Sequence, residues 1–113
     1  MREEKQRYIL FKIIREENKR GKPIHEKAFL EALWNIIWRY FGMNTAIKIG
    51  LWLLEFNTKE NYGIIRCSHT TKEIMISSLS LIRDINQEKM IISPVKTSGT
   101  LQTIEKYISK YNF

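Results

Sequence analysis

The chain has 113 residues, of which 43% are hydrophobic and 27% are charged. This length and balance are typical of one folded domain and argue against a disordered or fibrous chain. We therefore predict a single domain over residues 1–113, with residues 1–6 as a flexible lead-in. The formal net charge of +7 and the pI near 9.6 favour a polyanionic partner, because a cationic surface attracts phosphates at long range.

The residues available for metal binding and membrane insertion are few. Cys67 is the only cysteine, and His25 and His69 are the only histidines, so neither a disulfide nor a protein metal site is predicted. The charged N-terminal residues are wrong for a signal peptide, and no apolar run approaches the roughly 20 residues that span a bilayer. The chain is predicted to be cytoplasmic, without a membrane partner.

The first half of the chain predicts a strand and a long helix. Residues 7–14 (RYILFKII) are apolar on both alternating faces, which is typical of a strand at the centre of a sheet. Residues 24–41 follow Pro23 and precede Gly42, which favour the start and the end of a helix respectively.

This long helix is apolar over more of its circumference than one core face needs. The surplus stripe includes three aromatic side chains, Trp34, Trp38 and Phe41. Such residues commonly anchor protein partners. We predict a partner interface at these three positions, with packing against another helix of the same chain as the alternative.

The second half of the chain predicts three strands and two helices. Residues 48–57 and 62–68 are joined by the polar segment 58–61, which indicates an antiparallel pair. Pro94 cannot donate a ladder hydrogen bond, so it places the fourth strand at a sheet edge or ends it nearby. The predicted elements that follow the antiparallel pair are an amphipathic helix to residue 85, a fourth strand at 89–96 and a last helix at 100–111.

The predicted order is βαββαβα. It favours an α+β fold of the ferredoxin-like (RNA-recognition-motif-like) kind, a βαββαβ sandwich with a four-stranded antiparallel sheet and an extra C-terminal helix. Right-handed crossovers would place the first two helices on one face of the sheet. The last helix would cover part of the other face.

No catalytic motif is evident, since the chain has no glycine-rich phosphate loop, nucleophile elbow or HExxH pair. We therefore predict that the chain carries no catalytic residues. An RNA-recognition motif stacks bases on aromatic residues of its third strand. Residues 62–67 (YGIIRC) carry isoleucine and cysteine there, so base stacking on this sheet is not expected. RNA contacts should instead use phosphates and shape.

Nine residues are candidates for binding RNA phosphates. They lie in the loop after the first strand, on the third strand, at the turn before the last helix and on that helix: Lys19, Arg20, Lys22, Arg66, Lys96, Ser98, Thr100, Lys106 and Lys110. The turn places hydroxyls and a lysine ahead of a helix N-terminus, which favours an anion. The alternatives are a solvated loop at the first group and ordinary N-capping by Ser98 or Thr100.

Several motifs in this order resemble archaeal ribonuclease P protein component 2. They are RYILFK at 7–12, ALWN at 32–35, GIIRC at 63–67 leading into a helix that ends Leu81-Ile82, and Ser98-Gly99-Thr100 before a basic terminal helix. The resemblance covers residues 7–111. One departure is Ile76, where relatives often carry a basic residue, and it argues against RNA contact by the second helix.

The resemblance implies a subunit of ribonuclease P, the endoribonuclease that removes the 5′ leader of precursor tRNA. It implies that the RNA subunit performs the chemistry with Mg²⁺ and that the protein binds no cofactor itself. The implied partners are ribonuclease P RNA, precursor tRNA through the holoenzyme, ribonuclease P protein component 3 and a second copy within a heterotetramer. The alternatives from other classes are a ferredoxin-like regulatory or dimerisation module without RNA, and a small independent nuclease.

Overall fold

A computed structural model describes residues 5–16 and 23–111 of the chain. Over these residues the chain forms five strands, three α-helices and one 3₁₀ turn (His69–Thr71). The strands are β1 (Gln6–Arg15), β2 (Trp52–Asn57), β3 (Tyr62–Ser68), β4 (Asp84–Ile85) and β5 (Glu88–Ser98), and the helices are α1 (Glu26–Lys48), α2 (Lys72–Leu81) and α3 (Leu101–Tyr111). The predicted α+β class is confirmed.

The strands form one antiparallel sheet in the order β2-β3-β1-β5-β4. β1 is central, as its two apolar faces predicted. The predicted four-stranded sheet is wrong, because Asp84 and Ile85 pair with Lys89 and Glu88 as a fifth strand. The two residues between these strands, Asn86 and Gln87, both have positive φ (50° and 68°), which suits a two-residue hairpin. This hairpin also ends α2 earlier than the predicted residue 85.

Helices α1 and α2 cover one face of the sheet and share its main core. Phe29 of α1 stacks between Phe11 of β1 and Phe56 of β2, with ring centres 5.2 and 4.8 Å apart. Fully buried side chains from α2 join this core, among them Met75 and Leu79. Both crossover helices therefore lie on the same face, as the order of elements predicted.

Helix α3 covers part of the opposite face. Its buried Ile104 packs with Leu10, Tyr62 and Ile64 of the sheet in a second, smaller core. The rest of this face remains open, and residues such as Ile14 and Ile91 are about half exposed there (48% and 58%). The strand residues that share this face with α3 are therefore the ones a ligand can reach.

Helix α1 runs past the predicted end at Gly42. Gly42 does interrupt the helix, with φ 84° and ψ 177°, but the chain turns helical again up to Lys48. Residues 43–46, which lie between the predicted helix and the predicted second strand, are thus helical, because Ala46 is buried against the main core. A second positive-φ glycine, Gly50 (φ 59°), then turns the chain, so β2 begins at Trp52 and not at residue 48.

The β2–β3 pair contains an irregularity that changes the direction of the β2 side chains relative to regular alternation. The register shifts between Leu53 and Glu55, so an extra residue lies between them. Phe56 consequently packs into the main core, whereas Trp52 pairs with Arg66 and faces the α3 side. Regular strand alternation would place Trp52 and Phe56 on one face of the sheet, and the extra residue is the reason that they lie on opposite faces.

Pro94 lies opposite Phe11, next to a register shift in the β1–β5 pair. On the other side of β5, β4 reaches only Glu88 and Lys89. Pro94 therefore lies on an open stretch of sheet edge, as predicted.

Candidate nucleic-acid interface

Arg66 lies on the sheet face that α3 covers only in part. Its chain neighbours Ile65 and Cys67 are buried in the main core, so strand alternation directs Arg66 to the opposite face. The guanidinium carbon lies 5.8 Å from the ring centre of Trp52 on β2, within cation–π range. The Arg66 Nε is buried and has no hydrogen-bond partner among the residues that the structure describes. The side chain as a whole is only half-buried, and no described residue forms an ion pair with it, so the terminal guanidinium donors are the ones available for an anion.

Lys96 lies on the same face, two strands away. It pairs across the sheet with Leu10, one of the residues under α3. Its Nζ lies 5.9 Å from the ring centre of Tyr107 on α3. Arg66 and Lys96 thus each combine a half-buried cation with an aromatic ring on one surface of the protein.

Ser98 and Thr100 hold the start of α3. The Ser98 Oγ accepts a hydrogen bond from the Thr100 N–H (3.2 Å), and the Thr100 Oγ1 accepts one from the Thr103 N–H (3.4 Å). The Thr100 and Thr103 hydroxyls are also hydrogen-bonded to each other, at 2.8 Å. The bond from the Thr103 N–H to Thr100 is the ordinary N-capping that the sequence left as the alternative, and the Ser98 bond closes the turn before it. These contacts order the turn between β5 and α3, close in sequence to Lys96.

Lys106 and Lys110 project from the exposed side of α3. They are one helical turn apart and line a shallow surface groove, together with Gln102, Glu105 and Ser109. The Nζ of Lys110 lies 5.4 Å from the ring centre of Tyr111. The two lysines add positive charge to the α3 side of the molecule. The remaining predicted cations, Lys19, Arg20 and Lys22, lie outside the described residues.

The predicted partner anchors on α1 differ in burial. Trp38 is 49% exposed, whereas Trp34 and Phe41 are half-buried and Trp34 packs against the main core. Trp34 and Trp38 border one groove, which is also lined by Glu26, Lys27, Leu30, Glu31 and Asn35. Trp38 is therefore the most accessible of the three. This groove lies on the helix layer, across the sheet from the cations described above.

Burial raises the pKa of two side chains of β3, Cys67 and Tyr62. Burial raises the pKa of the Cys67 thiol to about 11, so the thiol is neutral near pH 7. Burial also raises the pKa of Tyr62, whose hydroxyl donates a hydrogen bond to the Glu55 carboxylate (3.0 Å). This bond occupies the one acidic side chain of β2.

One residue of this surface was given no functional role from the sequence. Trp52 is 59% exposed and stands directly beside Arg66 in the β2–β3 pair. The sequence shows the tryptophan and the arginine, but the register shift in β2 decides that they meet.

The described residues contain no group of three or more His, Cys, Asp or Glu side chains that could hold a metal ion. No helix in residues 5–16 and 23–111 is long and apolar enough to cross a membrane.

The fold and this surface define an α+β protein whose sheet carries cations and aromatic rings on its partly open face. Residues 7–109 match the model of the Rpp14/Pop5 family. The chain therefore belongs to the Rpp14/Pop5 family.

Individual relatives agree with this assignment. Ribonuclease P protein component 2 of Pyrococcus furiosus is 34% identical over 111 residues, which cover 97% of this chain and 88% of the relative. The component 2 protein of Methanocaldococcus jannaschii is 33% identical over 88% of this chain and 69% of its own length. In three dimensions the chain is similar to one in the cryo-EM structure of yeast ribonuclease MRP. Their TM-score is 0.71 at 15% identity, covering 99% of this chain and 95% of that one.

Proposed function

We propose that this chain is a protein subunit of ribonuclease P, the ribonucleoprotein that removes the 5′ leader of precursor tRNA. The observation that carries the proposal is the match to proteins named ribonuclease P protein component 2 over nearly the whole chain. The similarity to a chain of a second RNA-processing complex, ribonuclease MRP, supports the same fold. We also propose that β1, β2, β3 and β5, with the two crossover helices, form a ferredoxin-like fold.

The role proposed for the subunit is to support the catalytic RNA. The chemistry belongs to the RNA, assisted by Mg²⁺, and the protein supplies cations that bind phosphates. Arg66, Lys96, Lys106 and Lys110 support this role, because all four lie on the α3 side of the molecule. Phosphate contacts of this kind position an RNA without reading its sequence.

The proposed protein partner is ribonuclease P protein component 3, bound at the groove on α1. The exposed indole of Trp38 supports this placement, since partly apolar grooves with an accessible aromatic residue are typical of protein interfaces. A second copy of the chain is proposed to complete a heterotetramer. The complex is proposed to act in the cytoplasm on precursor tRNA.

Reconstitution tests this proposal. The full chain and component 3 are added to the ribonuclease P RNA, and the rate of 5′-leader removal is measured at limiting Mg²⁺. We expect the two proteins to raise the rate above that of the RNA alone, and the protein without RNA to be inactive. Cleavage of precursor tRNA by the protein alone would instead identify a nuclease. Absence of polyanion binding at low salt would identify a regulatory module.

A further inference from the structure

Trp52 is an exposed aromatic ring on a surface that contains uncompensated positive charge. The side chain is 59% exposed although β2 is ordered by pairing with β3. The flanking Leu53 packs against the main core, which anchors the strand and leaves the indole on the open side. The guanidinium of Arg66, 5.8 Å from the ring centre, limits the orientations of the ring.

The Arg66 side chain forms no ion pair and no hydrogen bond with any described residue. Its Nε is buried without a partner. The acidic side chain on the adjacent strand, Glu55, accepts a hydrogen bond from Tyr62 instead. A guanidinium can donate five hydrogen bonds and matches phosphate oxygens in pairs. Arg66 is therefore positioned to bind an anionic group placed next to Trp52.

The sheet pairing aligns Trp52 and Arg66 with two further polar side chains. Trp52, Arg66, Tyr8 and Ser98 form one row across four adjacent strands, at the end of the sheet where α3 begins. With strands spaced about 4.8 Å apart, this row spans roughly 14 Å. The row therefore carries an accessible ring at the β2 edge and a free cation beside it. Lys96 lies nearby on the same face.

We propose that Trp52 stacks on an unpaired nucleobase of the bound RNA while Arg66 binds an adjacent phosphate. This combination selects a single-stranded segment. A base can stack on the exposed indole only when it is not paired and stacked within an RNA helix, and the guanidinium binds the neighbouring phosphate. The uncompensated charge of Arg66 favours RNA over an apolar protein surface as the occupant. This inference rests on the proposed function and specifies which part of the RNA this surface takes.

The sequence predicts no base stacking on the third strand, where isoleucine and cysteine stand at the aromatic positions. The ring offered here comes from β2, at the edge of the sheet.

Tryptophan emission from the full chain tests the proposal. The chain has three tryptophans, so a Trp34→Phe, Trp38→Phe background leaves Trp52 as the only reporter. This protein is titrated with a short single-stranded oligoribonucleotide of mixed sequence and with a duplex of the same length. We expect the single strand to quench the emission at saturation and the duplex to leave it nearly unchanged, because stacking on a base quenches an indole.

Binding of the single strand by variants gives the second readout. Trp52→Ala should weaken the affinity by roughly 5- to 150-fold, the range that one stacked base supplies. Trp52→Phe should retain part of it. The matched control is Tyr40→Ala, which removes a similarly exposed aromatic side chain (57%) from α1 and should bind as the wild type does. Thermal unfolding of each variant separates weaker binding from a failure to fold. The quenching measurement does not depend on the folding of the Trp52 variants, because its protein retains Trp52.

Unchanged Trp52 emission under saturating single strand would overturn the inference, as would full affinity of a folded Trp52→Ala protein. If Trp52→Ala weakens binding of component 3 in a calorimetric titration and leaves binding of the single strand unchanged, Trp52 is a protein contact instead. If Trp52 emission or Trp52→Ala affinity is unchanged in this way, but the chain still raises the rate of 5′-leader removal in the reconstituted enzyme, the inference fails and the proposed function stands. If the single strand quenches Trp52 and the reconstituted enzyme is not stimulated, the proposed function fails alone.

Discussion

Arg15 and Glu88 form a two-point ion pair that joins β1 to β5 at the end of the sheet remote from α3. The Arg15 Nε lies 2.7 Å from Glu88 Oε2 and the Nη2 lies 2.9 Å from Oε1. The Arg15 side chain is fully buried and that of Glu88 is 19% exposed. A buried guanidinium depends on such a partner, because an unpaired charge in the interior is costly.

Glu88→Ala is therefore expected to lower the free energy of unfolding by about 3–5 kcal/mol, measured by urea titration, since it strands the buried Arg15. The control is Glu73→Ala, which removes an 83% exposed carboxylate at 3.6 Å from Lys72 and should change stability by about 0.5 kcal/mol or less. Equal losses in the two variants would contradict the role assigned to the pair.

Gly63→Ala is expected to destabilise the protein by about 1–3 kcal/mol through overpacking. Gly63 stands opposite Phe11 in the β1–β3 pair, and a Cβ added there would lie 2.4 Å from the Phe11 Cζ and 3.0 Å from the Glu55 carbonyl oxygen. Gly99→Ala is the matched control, since its new Cβ would meet only the end of the Arg7 side chain, at 3.3 Å and beyond. Thermal unfolding of both variants checks the difference, and a Gly63→Ala protein as stable as Gly99→Ala would refute the packing argument.

Trp38→Ala is expected to weaken binding of component 3 by about 2 kcal/mol or more, as loss of a central aromatic anchor does. The stability of the isolated chain should fall by no more than about 1 kcal/mol, because the indole is 49% exposed. Calorimetric titration with component 3 and thermal unfolding of the chain measure the two effects. Tyr111→Ala, which removes an exposed ring from α3, should leave this affinity unchanged. An unfolded Trp38→Ala chain would show that the side chain belongs to the core.

Replacing Lys106 and Lys110 together by alanine should lower RNA affinity and flatten its salt dependence. Removing one lysine–phosphate interaction reduces the log–log slope by roughly 0.9 for a duplex or 0.7 for a single strand. Filter binding over a range of salt concentrations measures this slope. Arg39→Ala with Lys48→Ala removes the same charge from exposed positions of α1, on the opposite face, and should change the slope much less. Identical slopes for the two double variants would remove α3 from the RNA interface.

The stability of the protein should depend on Cys67 at alkaline pH. Burial raises the pKa of the folded thiol to about 11, from an ordinary value of 9.0, so the folded state holds its proton more tightly than the unfolded state. This contribution, roughly 2–3 kcal/mol, is fully present below pH 9 and is lost as pH rises through 11. We expect the stability difference between the wild type and Cys67→Ala to shrink over this interval in urea titrations. A constant difference would show that the thiol ionises normally.

Local patterns in the sequence predicted most of the elements. The run of apolar residues in β1 indicated a central strand, and the polar segment before Tyr62 indicated the β2–β3 turn. Of the predicted RNA-binding residues, the structure describes Arg66, Lys96 and the others from β3 onward, and their contact with RNA stays a prediction. Two features escaped prediction, for different reasons. Ala46 extends α1 because core residues distant in sequence receive it. Asp84–Ile85 forms a strand through a local two-residue hairpin, but its turn residues, Asn86 and Gln87, lack the glycine that usually marks such a turn.

The sequence alone thus determined the class of fold, the order of elements and the positive charge, since periodicity, turn residues and charge are local or additive properties. The tertiary structure decided which side chains share a surface. Trp52 and Arg66 are 14 positions apart. They face the same side only because one extra residue in β2 shifts its register against β3. A shift of one residue reverses the direction of every side chain beyond it, and the pairing of strands fixes that shift.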